Sequence, residues 1–253
     1  MSEKICNGKD AVNENTVDEN AIDEETNCKK TLISSLENLV SIKENYTDNI
    51  GRYKYRVLVC SGAGCISSDC HAVKEALVKS LQENNISNEM LVTETGCIGT
   101  CDLGPVMLVM PEGVFYTKLD PSLIPDIVTS HFLNGKIKVN NTYYDRKRDE
   151  YIPYIKDIGY FKEQVKIALR NCGNISFSSM EEYIANDGYL ALAKVLGEMC
   201  PEDVINEIKK SGLRGRGGGG FPTWIKLQAG MKTESSIKYI VCNADEGDPG
   251  AFM

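Results

Sequence analysis

The chain has 253 residues, 42% hydrophobic and 25% charged, with a formal net charge of −8. That length allows one or two domains with a sizeable core. No apolar run reaches the ~18 residues that a membrane helix needs, and the absence of a basic stripe argues against nucleic acid as a partner. Ten cysteines stand against two histidines, and the N-terminus is polar and acidic rather than a secretory signal. The expectation is a cytoplasmic, reducing setting in which some thiols serve as metal ligands.

Residues 1–51 are expected to be an acidic, largely disordered tail. One amphipathic helix is predicted within it over 31–46, from Leu32, Ile33, Leu36, Leu39, Val40 and Ile42. Residues 52–135 read as a compact α/β unit. Tyr55 to Cys60 is a strand, residues 67–84 form one helix with Val73, Ala76, Leu77, Val78 and Leu81 on one face, and Met90 to Thr95 is a second strand. A unit of this kind should pair its strands in parallel. A hairpin over 106–117 and a helix over 122–134, ended by Gly135, complete the order β, α, β, β, β, α of a small thioredoxin-like domain. Residues 136–158 read as a charged, Tyr-rich linker. Beyond it, short helices are predicted over 161–170, 179–186, 189–196 and 201–210, the last begun by Pro201, and a strand over 237–242.

Cys60 and Cys65 are separated by four residues, and Cys97 and Cys101 by three. Each pair follows a strand, so parallel pairing brings both loops to the carboxyl edge of the sheet, where α/β folds gather ligands. Iron and zinc both accept thiolates. Structural zinc sites favour closer knuckles and recruit histidine, but neither His71 nor His131 lies in these loops. Gly62, Gly64, Gly96 and Gly99 would let backbone N–H groups approach a cluster. Cys70, on the helix, is expected to be a packed thiol rather than an alternative ligand. Cys6 and Cys28 read as incidental, and Cys172, Cys200 and Cys242 as small buried hydrophobes.

Gly215 to Gly220 is a formal G-x-G-x-x-G, but a helix rather than a strand precedes it, so the dinucleotide fingerprint is weak. A loop with little side-chain bulk, carrying Arg214 and Arg216, can wrap a phosphate with its backbone N–H groups. Carboxylates in the segment from Asn243 to Met253 could grip ribose hydroxyls or an amide.

The segments Cys60-Ser-Gly-Ala-Gly-Cys65 and Thr95-Gly-Cys97-Ile-Gly-Thr-Cys101-Asp-Leu-Gly-Pro105 closely resemble the thioredoxin-like [2Fe–2S] ferredoxins. By that resemblance Cys60, Cys65, Cys97 and Cys101 would hold a [2Fe–2S] cluster. Gly215-Arg216-Gly217-Gly218-Gly219-Gly220-Phe221-Pro222-Thr223 and Asn243-Ala-Asp245-Glu246-Gly-Asp-Pro-Gly are similar to the NADH-oxidising flavoprotein subunit of complex I and of NAD-dependent or electron-bifurcating hydrogenases. This resemblance implies that Gly215, Arg216, Gly217, Gly218, Gly220 and Phe221 cradle FMN or NAD(H), with Asn243, Asp245 and Glu246 contacting the nucleotide. Trp224 stands where that family usually has glycine.

The fold expected is therefore α/β: a thioredoxin-like [2Fe–2S] ferredoxin domain followed by a partly helical, incomplete FMN/NADH-binding domain at 159–253. The chain reads as a fragment of an NADH dehydrogenase-type oxidoreductase subunit, passing electrons from NADH through FMN to iron–sulfur clusters and on to a hydrogenase, ferredoxin or quinone-reducing partner. Its partners would be other subunits of a multi-subunit redox complex. The alternative is a stand-alone [2Fe–2S] carrier or cluster-bearing interaction domain without flavin chemistry.

Overall fold

The computed structural model describes residues 35–167 and 169–241; Cys6, Cys28, Cys242 and the tail up to residue 34 lie outside them. The described residues fall into two compact units, Ser35–Tyr189 and the residues from Leu190 onward.

In the first unit α1 (Leu36–Ile50) begins at Ser35, whose hydroxyl accepts the Asn38 N–H in a capping box. It starts and ends later than the helix expected over 31–46. Next come β1 (Tyr55–Cys60), α2 (Ala63–Ser67), α3 (Cys70–Glu83), β2 (Met90–Thr95), β3 (Met107–Met110) and β4 (Val114–Tyr116). The sheet order is β2-β1-β3-β4, with β1 and β2 parallel and the other pairs antiparallel. β1 lies in the interior of this sheet, which suits its Val57-Leu58-Val59-Cys60 run, buried on both faces.

The single helix expected over 67–84 is two helices. Asp69 adopts the left-handed conformation (φ 64°) and breaks the helical run. α2 is thereby free to carry Cys65, while α3 lays Cys70, Val73, Leu77 and Leu81 on the sheet. The C-terminal helix of this core is a 3₁₀ turn at Pro121–Leu123, then α4 (Ile124–Ile127), then a π-helical stretch, Val128–Leu133. Gly135 follows at φ +65°, as a helix-ending glycine should.

Residues 136–158 are part of the fold rather than a linker. They form the hairpin β5 (Tyr143–Asp145) and β6 (Glu150–Ile152), and its flanks bond the outer edge of β4. Phe115 N–H donates to Pro153 O (2.8 Å), Ile155 N–H to Gly113 O (2.9 Å) and Thr117 N–H to Asn141 O (2.9 Å). Their charges face outward, but Thr142, Ile152 and Ile158 are buried. A strand edge left with unpaired backbone groups is costly, and this segment supplies the partners. The helix expected over 161–170 shrinks to α5 (Gly159–Lys162), where Phe161 packs edge-on against Phe115, with ring centroids 5.5 Å apart. α6 (Met180–Ala185) closes the unit against α1. Its Glu182, 2% exposed, pairs with Arg56 of β1 and accepts the Ser176 N–H at 2.9 Å.

The second unit contains α7 (Leu190–Glu198), α8 (Pro201–Ser211) and α9 (Thr223–Lys232). Pro201, Glu202 and Asp203 fill the first turn of α8, and Gly212 ends it at φ +70°. Residues 237–241 form no strand in the described structure. No described helix is long and apolar enough to cross a membrane.

Candidate functional site

The register pairs Cys60 with Thr95 across the parallel strands, so both cysteine loops leave the same edge of the sheet. Ser61 N–H donates to Thr95 O at 2.9 Å and starts the first loop beside the second. Cys65 lies inside α2 rather than ahead of it, and its thiol turns inward, 2% exposed. Cys60 is equally buried, whereas Cys97 and Cys101 reach the surface.

The glycines set how closely the two loops meet. A methyl group on Gly62 would lie 2.8 Å from Cys97 Cβ, 3.1 Å from its Cα and 3.2 Å from its Sγ. On Gly64 it would lie 3.0 Å from both Cβ and Sγ of Cys101, and on Gly104 it would lie 3.1 Å from Cys65 Sγ. These positions leave little room for any side chain. They bring α2 against the Cys97–Cys101 loop, and the turn after Cys101 against Cys65.

The electrostatics follow from that crowding. Burial pushes the Cys65 thiol up to about 12, and the adjoining Cys60 thiol adds to the effect. Burial also raises Cys97; the Gly99 N–H, 3.3 Å from its sulfur, opposes this, while Cys101 and Cys60 push the same way as burial. Desolvated thiols this close resist ionisation unless a cation compensates their charge. Among the described residues, no three or more His, Cys, Asp or Glu side chains gather about one point as they would around a single ion. The thiols instead come as two adjoining pairs, Cys60 with Cys65 and Cys97 with Cys101.

A [2Fe–2S] group fits this donor set, with two thiolates for each iron. It also fits two orphaned atoms. Ser61 Oγ and Thr100 Oγ1, one in each loop, are buried and have no hydrogen-bond partner. Cys70 is fully buried on α3, as expected for a packed thiol.

The second loop is held from downstream, which the sequence did not disclose. Thr95 Oγ1 donates to Ile175 O at 2.6 Å, and Thr95 bridges Ser176. Ile98 is buried against Gly173, where an added methyl would lie 3.0 Å from its Cγ1. Tyr160 Oη donates to Gly99 O at 3.2 Å. The one available signal was Thr95, the last of three polar residues (Thr93, Glu94, Thr95) that end the strand.

In the second unit Gly215, Arg216, Gly217, Gly218, Gly220 and Phe221 fall in one loop between α8 and α9. Gly215 N–H donates to Phe221 O (2.8 Å) and Thr223 N–H to Leu213 O (3.2 Å), closing its base. Gly218 and Gly220 have positive φ, +93° and +58°, and added methyls on Gly217 to Gly220 would meet nothing within 4 Å. Arg214 Nη1 donates to Gly220 O at 3.1 Å, spanning the loop. Trp224 lies under Lys209, whose Nζ is 4.6 Å from the ring centroid. Asn243, Asp245 and Glu246 lie outside the described residues. Cys172 and Cys200 are half-exposed rather than buried, and Cys200 Sγ donates to Asp203 at 2.9 Å.

Two cysteine pairs thus meet at one edge of a thioredoxin-like β2-β1-β3-β4 sheet. Residues 13–131 match the thioredoxin-like [2Fe–2S] ferredoxin family model, and residues 208–253 match the Nuo51 FMN-binding domain. The two family models thus match separate, non-overlapping stretches of the chain. It is 56% identical over 88 residues to the NADP-reducing hydrogenase subunit HndC of Solidesulfovibrio fructosivorans, covering 35% of this chain and 18% of that one. It is 32% identical over 203 residues to the NAD-reducing hydrogenase HoxS subunit alpha of Cupriavidus necator, covering 79% and 31%. The chain therefore spans less than a third of either relative. A thioredoxin-like [2Fe–2S] ferredoxin from Aquifex aeolicus aligns with 35% of this chain and 89% of its own, at 26% identity and a TM-score of 0.33.

Proposed function

We propose that this chain is an electron-transfer part of an NADH:acceptor oxidoreductase, with Cys60, Cys65, Cys97 and Cys101 holding a [2Fe–2S] cluster. The observation that carries the reading is the approach of two Gly-spaced thiol pairs at one sheet edge, where Gly62 and Gly64 touch Cys97 and Cys101. Bound there, the cluster supplies one-electron transfer, and FMN supplies the change from two-electron hydride chemistry to single electrons. The chain's own part is to place and shield. β1 and α2 keep Cys60 and Cys65 away from water, while Cys97 and Cys101 face the surface, on the side where a partner approaches. Gly215 to Phe221 would wrap a nucleotide phosphate with backbone N–H groups, joined by Asn243, Asp245 and Glu246.

The partners under this reading are other subunits of a multi-subunit redox complex, a hydrogenase or a complex I-like assembly, in the cytoplasm. The likeness to two hydrogenase subunits supports the multi-subunit, hydrogenase-type partner. A reducing compartment also suits it, because the ligands must be thiolates rather than disulfides.

The test is iron, zinc and acid-labile sulfide per chain after anaerobic purification. About two iron and two sulfide per chain are expected. Zinc without sulfide would overturn the reading. Flavin titration of the same preparation separates an oxidoreductase part from a stand-alone carrier.

A further inference from the structure

Only three buried side-chain nitrogen or oxygen atoms lack a hydrogen-bond partner among the described residues: Arg56 Nε, Ser61 Oγ and Thr100 Oγ1. Arg56 is otherwise engaged by Glu182. The other two adjoin the thiol site symmetrically. Ser61 directly follows Cys60, and Thr100 directly precedes Cys101. Buried hydroxyls are normally paired, and one left alone forfeits its hydration for nothing. Even the exposed hydroxyls next along the chain are paired: Ser67 Oγ donates to Ala63 O and Ser68 Oγ to Gly64 O, both at 3.0 Å. The Ser61 hydroxyl also reaches toward the Cys70 thiol, and hydrogen bonding from it opposes the burial that raises that thiol, but the contact falls outside ordinary hydrogen-bond geometry.

We infer that Ser61 and Thr100 are positioning residues whose hydroxyls donate to the sulfurs of the bound [2Fe–2S] group and stabilise its reduced form. The inference rests on the cluster reading above. One electron enters the cluster, and the O–H bonds are neither broken nor protonated; the hydroxyl dipoles offset the added negative charge. Hydrogen bonds to cluster sulfurs are among the factors that set such potentials. A donor on each loop would act on both thiol pairs. The hydroxyls are orphaned because their acceptor belongs to the cluster and not to the polypeptide.

The test uses the full chain, loaded anaerobically, with Ser61→Ala, Thr100→Val and the double variant, and with Ser67→Ala and Ser68→Ala as controls. Iron and sulfide are measured first, then the midpoint potential by titration followed through the EPR signal of the reduced cluster. The expected result is full loading, a negative shift of potential in each single variant, a larger one in the double, and none in the controls. The melting temperature of the iron-free chain should be unchanged or higher in Ser61→Ala and Thr100→Val, because an unpartnered hydroxyl has been removed. Loaded variants with the parent's potential would overturn the inference alone. A lower melting temperature of the iron-free variants would also overturn it, by showing that the hydroxyls have partners within the chain. A parent chain that takes up no iron and sulfide would instead remove the cluster reading itself, and this inference with it.

Discussion

Replacing Gly62 by alanine tests whether the two cysteine loops are held as closely as the structure shows. Gly62 has φ −69° and ψ 159°, which alanine adopts without strain. On backbone entropy alone the change would stabilise the fold by about 0.4–1 kcal/mol. The new methyl, however, would lie 2.8 Å from Cys97 Cβ and 3.1 Å from Cys97 Cα. The second of these is backbone, so relief requires the Cys97 loop to move. Overpacking of this kind costs about 1–3 kcal/mol, which outweighs the entropic gain and leaves a net loss of roughly 1–2 kcal/mol. For a chain of this size that is a fall of roughly 2–8 °C in melting temperature. The movement also displaces a proposed ligand, so iron and sulfide per chain should fall together. Gly96→Ala is the internal control: it adjoins Cys97, yet an added methyl there meets nothing within 4 Å. Analytical iron and sulfide, with melts followed by circular dichroism, decide the matter. If Gly62→Ala loads and melts like the parent, or Gly96→Ala does equal damage, the close approach of the loops is wrong.

Thr95→Val removes the 2.6 Å bond to Ile175 O and leaves a buried carbonyl unpaired, at a cost of about 1–3 kcal/mol in urea unfolding; iron should also leave faster when a chelator competes. Breaking the buried Arg56–Glu182 pair with Glu182→Ala should cost about 3–5 kcal/mol, and a loss under about 1 kcal/mol would show that α6 is not anchored to β1. His131 is 2% exposed and bonded through Nδ1 to Tyr116 Oη at 3.0 Å. Burial lowers its pKa from the usual 6.5, with Glu112 opposing. The unfolded chain therefore takes the proton first, so this contribution to stability is full above about pH 6.5 and is lost as pH falls through the lower folded value. His131→Leu should flatten the slope of melting temperature between about pH 6.5 and the onset of carboxylate titration, and an unchanged slope would assign it to other groups.

The strands and the thiol loops were legible because their signals are local. An apolar run ending in cysteine, followed by glycines, states both a buried strand and a close approach at its end. Other local signals found β3 and β4, as apolar runs around Pro111-Glu112-Gly113, and the first turn of α8, from Pro201. What escaped depends on pairing with distant chain. Residues 136–158 have the composition of a linker, and only the unpaired edge of β4 explains why they fold back. Asp69 gave no sign that it would break a periodic helix; the break exists because Cys65 and the α3 face must point at different targets. The strand expected over 237–242 rests on apolar content alone, and in the described structure Ile237, Tyr239, Ile240 and Val241 stay exposed.

The two thiol pairs stand on unlike supports, and this bears on how the site would work. Cys60 and Cys65 belong to β1 and α2, inside the sheet core, and move only if the core moves. Cys97 and Cys101 lie on a loop whose anchors are Ile175, Gly173 and Tyr160, all beyond residue 135. A ferredoxin-like core ending at 135 would keep the first pair fixed and lose the restraints on the second. The exposed pair, through which a partner would exchange electrons under the proposed function, is thus the pair whose position depends on the following segment. Movement of residues 160–176 would reach the site at Cys97 and Cys101, through Thr95, Ile98 and Gly99.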